Sequence, residues 1–66
     1  MDTDELKETH NALLATFERI RDEAATGLVL AQQGRYSDAR VSYEEICDAC
    51  YLLDDQLYDL GAQEAK

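Results

Sequence analysis

The sequence contains no proline and only three glycines, Gly27, Gly34 and Gly61, in 66 residues. Proline and mid-element glycine weaken helices and strands, so their scarcity predicts a few long elements. No apolar run approaches the length of a membrane span, and the acidic start, MDTDELKE, does not fit a secretory signal. We therefore expect an intracellular, cytoplasmic protein.

Basic residues are also few: six Lys and Arg stand against fifteen Asp and Glu, for a formal net charge of −9. Such a chain repels nucleic acid and anionic lipid, and it attracts basic protein surfaces. Its 45% apolar content is too high for a disordered acidic tail, so we expect one folded domain. The two cysteines, Cys47 and Cys50, are then expected to be reduced thiols.

Apolar residues recur at alternating steps of three and four, the spacing that keeps one stripe of a helix against a neighbouring helix. The first apolar stripe consists of Leu6, His10, Leu13, Phe17, Ile20, Ala24, Gly27 and Ala31, and the second of Ala39, Tyr43, Ile46, Cys50, Leu53, Leu57 and Leu60. Two such stripes around one short connection predict an all-α fold, a two-helix antiparallel hairpin.

The ends of the helices are indicated by capping residues. Gly34 suits the left-handed position that ends a helix, and Ser37 suits the N-cap of the next one. Asp2 or Thr3 can cap the first helix, with Glu5 placed as in a capping box. The predicted boundaries are about 3–33 for helix 1, 34–37 for the turn, about 38–60 for helix 2 and 61–66 for a frayed tail.

Two features suggest that the hairpin has further contacts. A mid-helix glycine weakens a helix by about 1 kcal/mol, and the segment after Gly27 is apolar on all sides. Either helix 1 bends or breaks there into a three-helix unit, or a second chain covers Val29 and Leu30. Val41 and Leu52 point away from the second stripe. Since two facing stripes make a thin core, we expect a homodimer that forms a four-helix bundle.

The region around the turn resembles a tetratricopeptide repeat over roughly residues 20–53. Gly34, Tyr36, Ala39 and Tyr43 match the G-x-Y-x-x-A-x-x-x-[YF] pattern of that repeat's second helix. The resemblance implies a tightly packed helix–turn–helix with the last three of these residues in the core. Because the peptide groove of the family needs several stacked repeats, a single repeat implies no such groove.

The Cys47-x-x-Cys50 motif raises the question of a metal or redox centre. Redox motifs of this type open a helix after a strand, whereas this one lies inside a predicted helix. Zinc needs two further ligands, and the only histidine, His10, falls in the first apolar stripe. We expect Cys50 to be a small core residue flanked by Cys47, without metal or cofactor. Two such motifs across a dimer axis are the alternative.

The carboxylate pairs Glu5/Glu8 and Glu45/Asp48 resemble the E-x-x-E and E-x-x-D metal motifs of all-helical nucleotide pyrophosphatases. Those enzymes have at least four helices, and no cluster of Lys or Arg is present here to bind a phosphate. A chain this short can hardly enclose a pocket that excludes water. We therefore predict a protein that is not an enzyme.

The outer face of helix 2 is the most informative feature. No Lys or Arg occurs from 41 to 65, a segment with seven acids. We call its predicted binding surface the acidic tyrosine face. Its members are Glu44, Asp48, Asp55 and Asp59, which lie opposite the stripe, and the bordering Tyr51 and Tyr58. Exposed tyrosines are frequent binding anchors, and carboxylates steer basic partners. A face that only keeps the protein soluble is the alternative.

These features predict a small acidic protein-binding module that docks on a basic surface of a partner. Basic surfaces often belong to nucleic-acid-binding proteins, so inhibition by imitation of nucleic acid is one version. In composition the chain resembles small acidic inhibitor proteins of phages. The alternative function is a tetratricopeptide-like adaptor or assembly subunit, which binds through the apolar residues Val29, Leu30, Val41 and Leu52.

Overall fold

The chain forms an antiparallel pair of long helices in the computed structural model, which describes residues 3–64. Helix α1 spans Thr3–Gln32 and helix α2 spans Tyr36–Glu64, and the described residues contain no strand. Together the helices form a rod whose Cα extents are 48 × 15 × 13 Å. The predicted all-α, two-helix hairpin is confirmed. Because α1 continues through Gly27 as one helix, the three-helix alternative is wrong.

The turn is a Schellman motif centred on Gly34. Its φ of 74° lies in the left-handed region that glycine adopts at little cost, as predicted. The Gly34 N–H donates to the Ala31 carbonyl at 3.0 Å, and the Arg35 N–H donates to the Leu30 carbonyl at 2.9 Å. These two bonds use carbonyls that the end of α1 would otherwise leave unpaired.

The second helix is longer at both ends than predicted. It begins at Tyr36, because the Arg35 carbonyl already accepts a bond from the Ala39 N–H at 3.0 Å. Ser37 is therefore inside the first turn and is not the N-cap. At the other end α2 continues through Gly61 to Glu64, where a frayed tail was expected. One glycine weakens a helix without ending it. The predicted cap residue Asp2 lies outside the described residues.

The helices contact each other through rows that differ from the predicted stripes at every second member. Buried and half-buried positions alternate at steps of three and four, as expected for packed helices. The row on α1 consists of Thr9, Leu13, Thr16, Ile20, Glu23, Gly27 and Leu30, and the row on α2 of Ala39, Ser42, Ile46, Ala49, Leu53, Gln56 and Leu60. Each predicted stripe shares alternate members with these rows and misses the others by one residue.

This one-residue difference has a geometric meaning. One residue corresponds to about 100° around a helix, so replacing every second member rotates the mean direction of a stripe by about 50°. The apolar stripe of each helix therefore points about 50° away from the other helix. Since the helices are antiparallel, the same rotation turns both stripes towards the same side of the hairpin. We call that side the apolar face; its exposed large residues are Leu6, Leu14, Phe17, Leu28, Tyr36, Tyr43 and Leu57.

The opposite side of the rod, which we call the acidic side, carries most of the carboxylates. An ion pair between Arg19 Nη2 and Glu45 Oε2, 2.8 Å apart, joins the two helices there. Among residues 4–62, helical geometry places on it Asp4, Glu5, Glu8, Asp22, Asp38, Glu45, Asp48, Asp55 and Asp59. The apolar face has one carboxylate in the same range, Asp54. The hairpin is therefore amphipathic as a whole.

A close approach of the helices explains Gly27. A Cβ atom at this position would lie 3.3 Å from the Ser42 Cβ, tighter than ordinary van der Waals contact. The glycine thus lets α2 pack against the backbone of α1 near the turn. This close approach, and not a break in the helix, accounts for a residue that weakens α1 locally.

The core between the helices is thin. Within the part of the chain that the structure describes, the fully enclosed positions are Thr16, Ser42 and Ala49, and no large side chain is fully buried. Thr16 Oγ1 donates to the Ala12 carbonyl at 2.9 Å. Small and polar residues let the helices approach closely, but they contribute little hydrophobic stabilisation.

Gln56 is a weak point in this contact. Its Oε1 is buried without a hydrogen-bond partner among the described residues. An unpaired buried acceptor costs about 1–3 kcal/mol, so Gln56→Leu is expected to raise the free energy of unfolding by at least about 1 kcal/mol. Urea denaturation at a fixed protein concentration measures the change. Gln32→Leu, at an exposed position, is the control; equal effects of the two substitutions would contradict the explanation.

Candidate functional site

The acidic tyrosine face occupies the outer edge of α2. Glu44, Tyr51 and Tyr58 follow one another at steps of seven, directly opposite the row that contacts α1. Tyr51 is 78% exposed and Tyr58 is 77% exposed. Asp48, Asp55 and Asp59 continue this surface onto the acidic side, and all six residues are exposed. The helix thus brings the predicted binding residues together on one continuous surface.

Ion pairs divide α2 into two halves. Towards the turn, its carboxylates have cationic partners: Asp38 pairs with Arg35 at 2.6 Å and Glu44 with Arg40 at 3.5 Å, while Glu45 pairs with Arg19 of α1. Farther along α2, Asp48, Asp54, Asp55 and Asp59 have no ion pair with any residue that the structure describes. Within the described residues, the negative charge of this half is therefore uncompensated.

The unpaired carboxylates are closely spaced along the helix axis. From 48 to 59 the helix rises about 16 Å, so the three intervals between the four charges average about 5.5 Å. One strand of double-helical DNA carries a phosphate about every 3.4 Å along its axis. The linear charge density of this half of α2 is thus about 60% of that of one nucleic-acid strand. Asp54 belongs to this set although the sequence pattern did not select it.

An open hollow of about 390 Å³ lies where the acidic tyrosine face meets the apolar face. Cys47, Cys50, Tyr51 and Asp54 line it. The hollow forms because the two thiols are smaller than the side chains around them. It gives this part of α2 a concave, mostly apolar surface with a carboxylate at its rim.

Several residues that were expected in the core are exposed in the single chain. His10, Tyr36, Tyr43 and Cys50 are exposed, and Cys47 is half-buried. The reason is the rotation of the stripes, which directs these positions to the apolar face. Hydrogen bonding to the neighbouring Cys47 thiol raises the pKa of the Tyr43 phenol. Both thiols are free.

The metal motifs considered from the sequence are not assembled. Residues 3–64 contain no cluster of three or more His, Cys, Asp or Glu side chains placed to hold a metal ion. Glu45, one member of the E-x-x-D pair, is instead bridged to Arg19. His10 lines a shallow hollow with Leu6, Lys7 and Leu60 near the open end of the hairpin, and Cys50 is not part of that hollow.

The four residues predicted for a second interface do not share one surface. Leu30 is half-buried in the row that faces α2, because α1 presents it to the neighbouring helix near the turn. Val29, Val41 and Leu52 are exposed on the acidic side, between carboxylates. The larger apolar surface lies on the other side of the hairpin.

Neither helix of the described residues has a segment long and apolar enough to cross a membrane. Compared with known proteins, the chain matches no family model, no curated protein and no solved structure.

Proposed function

We propose that the chain is a non-enzymatic protein-binding module, acting in the cytoplasm, that docks its acidic tyrosine face on a basic surface of a partner protein. The observation that carries the proposal is the exposure of Tyr51 and Tyr58, 78% and 77%, beside carboxylates without ion pairs. Aromatic rings supply contact area at a low cost in side-chain entropy, and unpaired carboxylates attract basic partners and reject anionic ones.

The partner that fits this surface best is a nucleic-acid-binding protein. Asp48, Asp55 and Asp59, which have no ion pair with a described residue, give this face a row of uncompensated negative charge, as the phosphates of a nucleic-acid strand do. A protein groove built to bind phosphates would therefore attract this face. In this version the chain inhibits its partner by occupying the nucleic-acid site. The proposal includes a homodimer in which the acidic tyrosine faces remain outside.

A second candidate function is that of a tetratricopeptide-like adaptor that binds through apolar surfaces. Val29, Val41 and Leu52, which are exposed on the acidic side, would supply its apolar contacts. The two functions differ in the forces that hold the partner, so ionic strength distinguishes them.

The test is affinity capture of a partner from a host lysate, followed by elution with salt. Binding through the acidic tyrosine face should weaken steeply, because the screening length falls from about 10 Å at 0.1 M salt to about 3 Å at 1 M. Added DNA or RNA should displace the chain from a nucleic-acid-binding partner. A complex that resists 1 M salt would refute acidic docking and favour the apolar adaptor.

A further inference from the structure

The apolar face is the largest uncovered apolar surface of the hairpin. Leu14, Phe17, Leu28, Tyr43 and Leu57 are all exposed on it, whereas no large side chain of the described residues is fully buried between the helices. The single chain therefore directs more large apolar residues to this face than it encloses. A contiguous surface of this kind in a small protein indicates a contact with another molecule.

The direction of the apolar stripes specifies what kind of contact this is. In a four-helix bundle of square cross-section, the shared core lies along the diagonal, about 45° from the line that joins neighbouring helices. In this hairpin each stripe points about 50° from the other helix, and both point to the same side. Each helix thus packs against the other helix of the hairpin on one side and presents a second packing surface on the apolar face. Each helix of a four-helix bundle likewise packs against two neighbours.

The charge distribution favours a second copy of the same chain. Two copies with a formal charge of −9 each repel one another through most of their surfaces. The apolar face is the side where this repulsion is weakest. In residues 4–62 it carries the single carboxylate Asp54 with the cations Lys7, Arg21 and Arg40, against nine carboxylates on the acidic side.

The size of the face agrees with a stable dimer. The two longer Cα extents of the rod, 48 and 15 Å, outline a footprint of about 700 Å². A standard protein interface buries about 800 Å² on each partner. Covering this one face is therefore sufficient for a specific dimer, without any contact from the acidic side.

We propose that two copies pair through their apolar faces into an antiparallel four-helix bundle whose outer surface carries both acidic tyrosine faces. The inference rests on the homodimer proposed above and specifies its contact surface. It moves that surface from Val29, Val41 and Leu52 to the opposite side of the hairpin. The dimer would then present two equivalent docking surfaces, so it could bind two basic sites or one symmetric partner with increased avidity.

The midpoints of the two helices show which residues form the middle layer of this bundle. Phe17 lies midway along α1 and Cys50 midway along α2. Either two-fold arrangement of face-to-face hairpins brings these residues of both copies into one layer. With the turns at the same end, Phe17 of one copy comes opposite Cys50 of the other, beside the hollow of about 390 Å³. A large side chain next to a small one is the packing that fills a core without voids.

Two leucines of α2 with nearly equal exposure provide a matched test. Leu57, on the apolar face, is 46% exposed, and Leu52, on the acidic side, is 47% exposed. Sedimentation equilibrium of the wild type at micromolar concentration should give twice 7.5 kDa. Leu57→Glu should weaken the dimer at least about 100-fold, because each dimer would bury the new charge twice. Leu52→Glu should remain dimeric.

Thiol alkylation of the unmodified chain provides a second measurement, which does not depend on the folding of a variant. Cys50 is exposed in the single chain, so its alkylation should slow as the protein concentration rises through the dissociation constant. A helical monomer at all concentrations would refute the homodimer itself. A dimer that is lost in Leu52→Glu, or whose Cys50 reacts equally fast at all concentrations, would refute this contact surface and leave the dimer standing.

Discussion

The triple variant Glu44→Lys, Asp48→Lys and Asp55→Lys is expected to lose partner binding while it keeps its helices. These residues lie on the outside of α2, away from the row that contacts α1, so their replacement leaves the packing of the hairpin intact. The pair that Glu44 forms with Arg40 is exposed, and such pairs contribute less than about 1 kcal/mol to stability. Circular dichroism checks the helices, and titration against the captured partner measures the loss of binding.

A control with the same change of charge is available on α1. Glu8→Lys, Glu18→Lys and Asp22→Lys raise the net charge by the same amount at exposed positions outside the acidic tyrosine face. This control should retain most of the affinity, with a slower association at low salt because long-range steering depends on total charge. Equal loss in both triple variants would show that net charge, and not this face, determines binding.

Tyr51→Ala is expected to weaken partner binding by about 2 kcal/mol, roughly 30-fold, if the ring is a central anchor. Tyr51 lies between Glu44 and Tyr58 along the outer edge of α2 and also borders the hollow beside Cys47. Calorimetric titration of the captured partner measures the effect. Tyr51→Phe should retain most of the affinity if the contact area of the ring, and not its hydroxyl, provides the binding free energy.

Tyr36 supplies the matched control for this substitution. It is 73% exposed, close to the 78% of Tyr51, but it lies at the start of α2 outside the acidic tyrosine face. Tyr36→Ala should leave the affinity for the partner unchanged within error. A larger loss at Tyr36 than at Tyr51 would contradict the placement of the docking surface and direct attention to the turn.

The hairpin could be predicted from the sequence because its determinants are local. Gly34 has the left-handed backbone that its position after the first stripe indicated. The three–four repeat on both sides of it required two helices facing each other. The end of α2 was less predictable, since Gly61 can either end a helix or be carried within one. The helix continues past it to Glu64.

The residues between the helices were harder to predict, for a physical reason. An apolar stripe indicates the mean direction in which a helix buries its side chains, summed over all neighbours. It does not distinguish burial against the other helix of the same chain from burial against another molecule. Ser42 and Ala49 lie in the row facing α1, whereas Tyr43 and Cys50, one residue later, lie on the apolar face. The pattern selected the larger residue of each pair and therefore the wrong row.

The acidic tyrosine face was less sensitive to this error. Tyr51 and Tyr58 lie on the side of α2 opposite the stripe, and a rotation of about 50° leaves that side outside the hairpin. They are therefore exposed whether the predicted stripe or the observed row faces α1. What the sequence pattern missed is Asp54, whose lack of an ion pair depends on where the cations of the folded chain lie. The pairing of Arg19, Arg35 and Arg40 with carboxylates in the turn half became apparent only from the ion pairs.

The close approach at Gly27 has a consequence for how the rod opens. It lies in the turn half, as does the Arg19–Glu45 bridge, the one ion pair joining α1 to α2 among the described residues. The other end holds Gln56 with its unpaired oxygen. We therefore expect the helices to separate first at the end away from the turn. Tyr58 and Asp59 lie on α2 near this end, so a partner that binds them only in the folded helix would stabilise that half, and docking and folding of this half would stabilise each other.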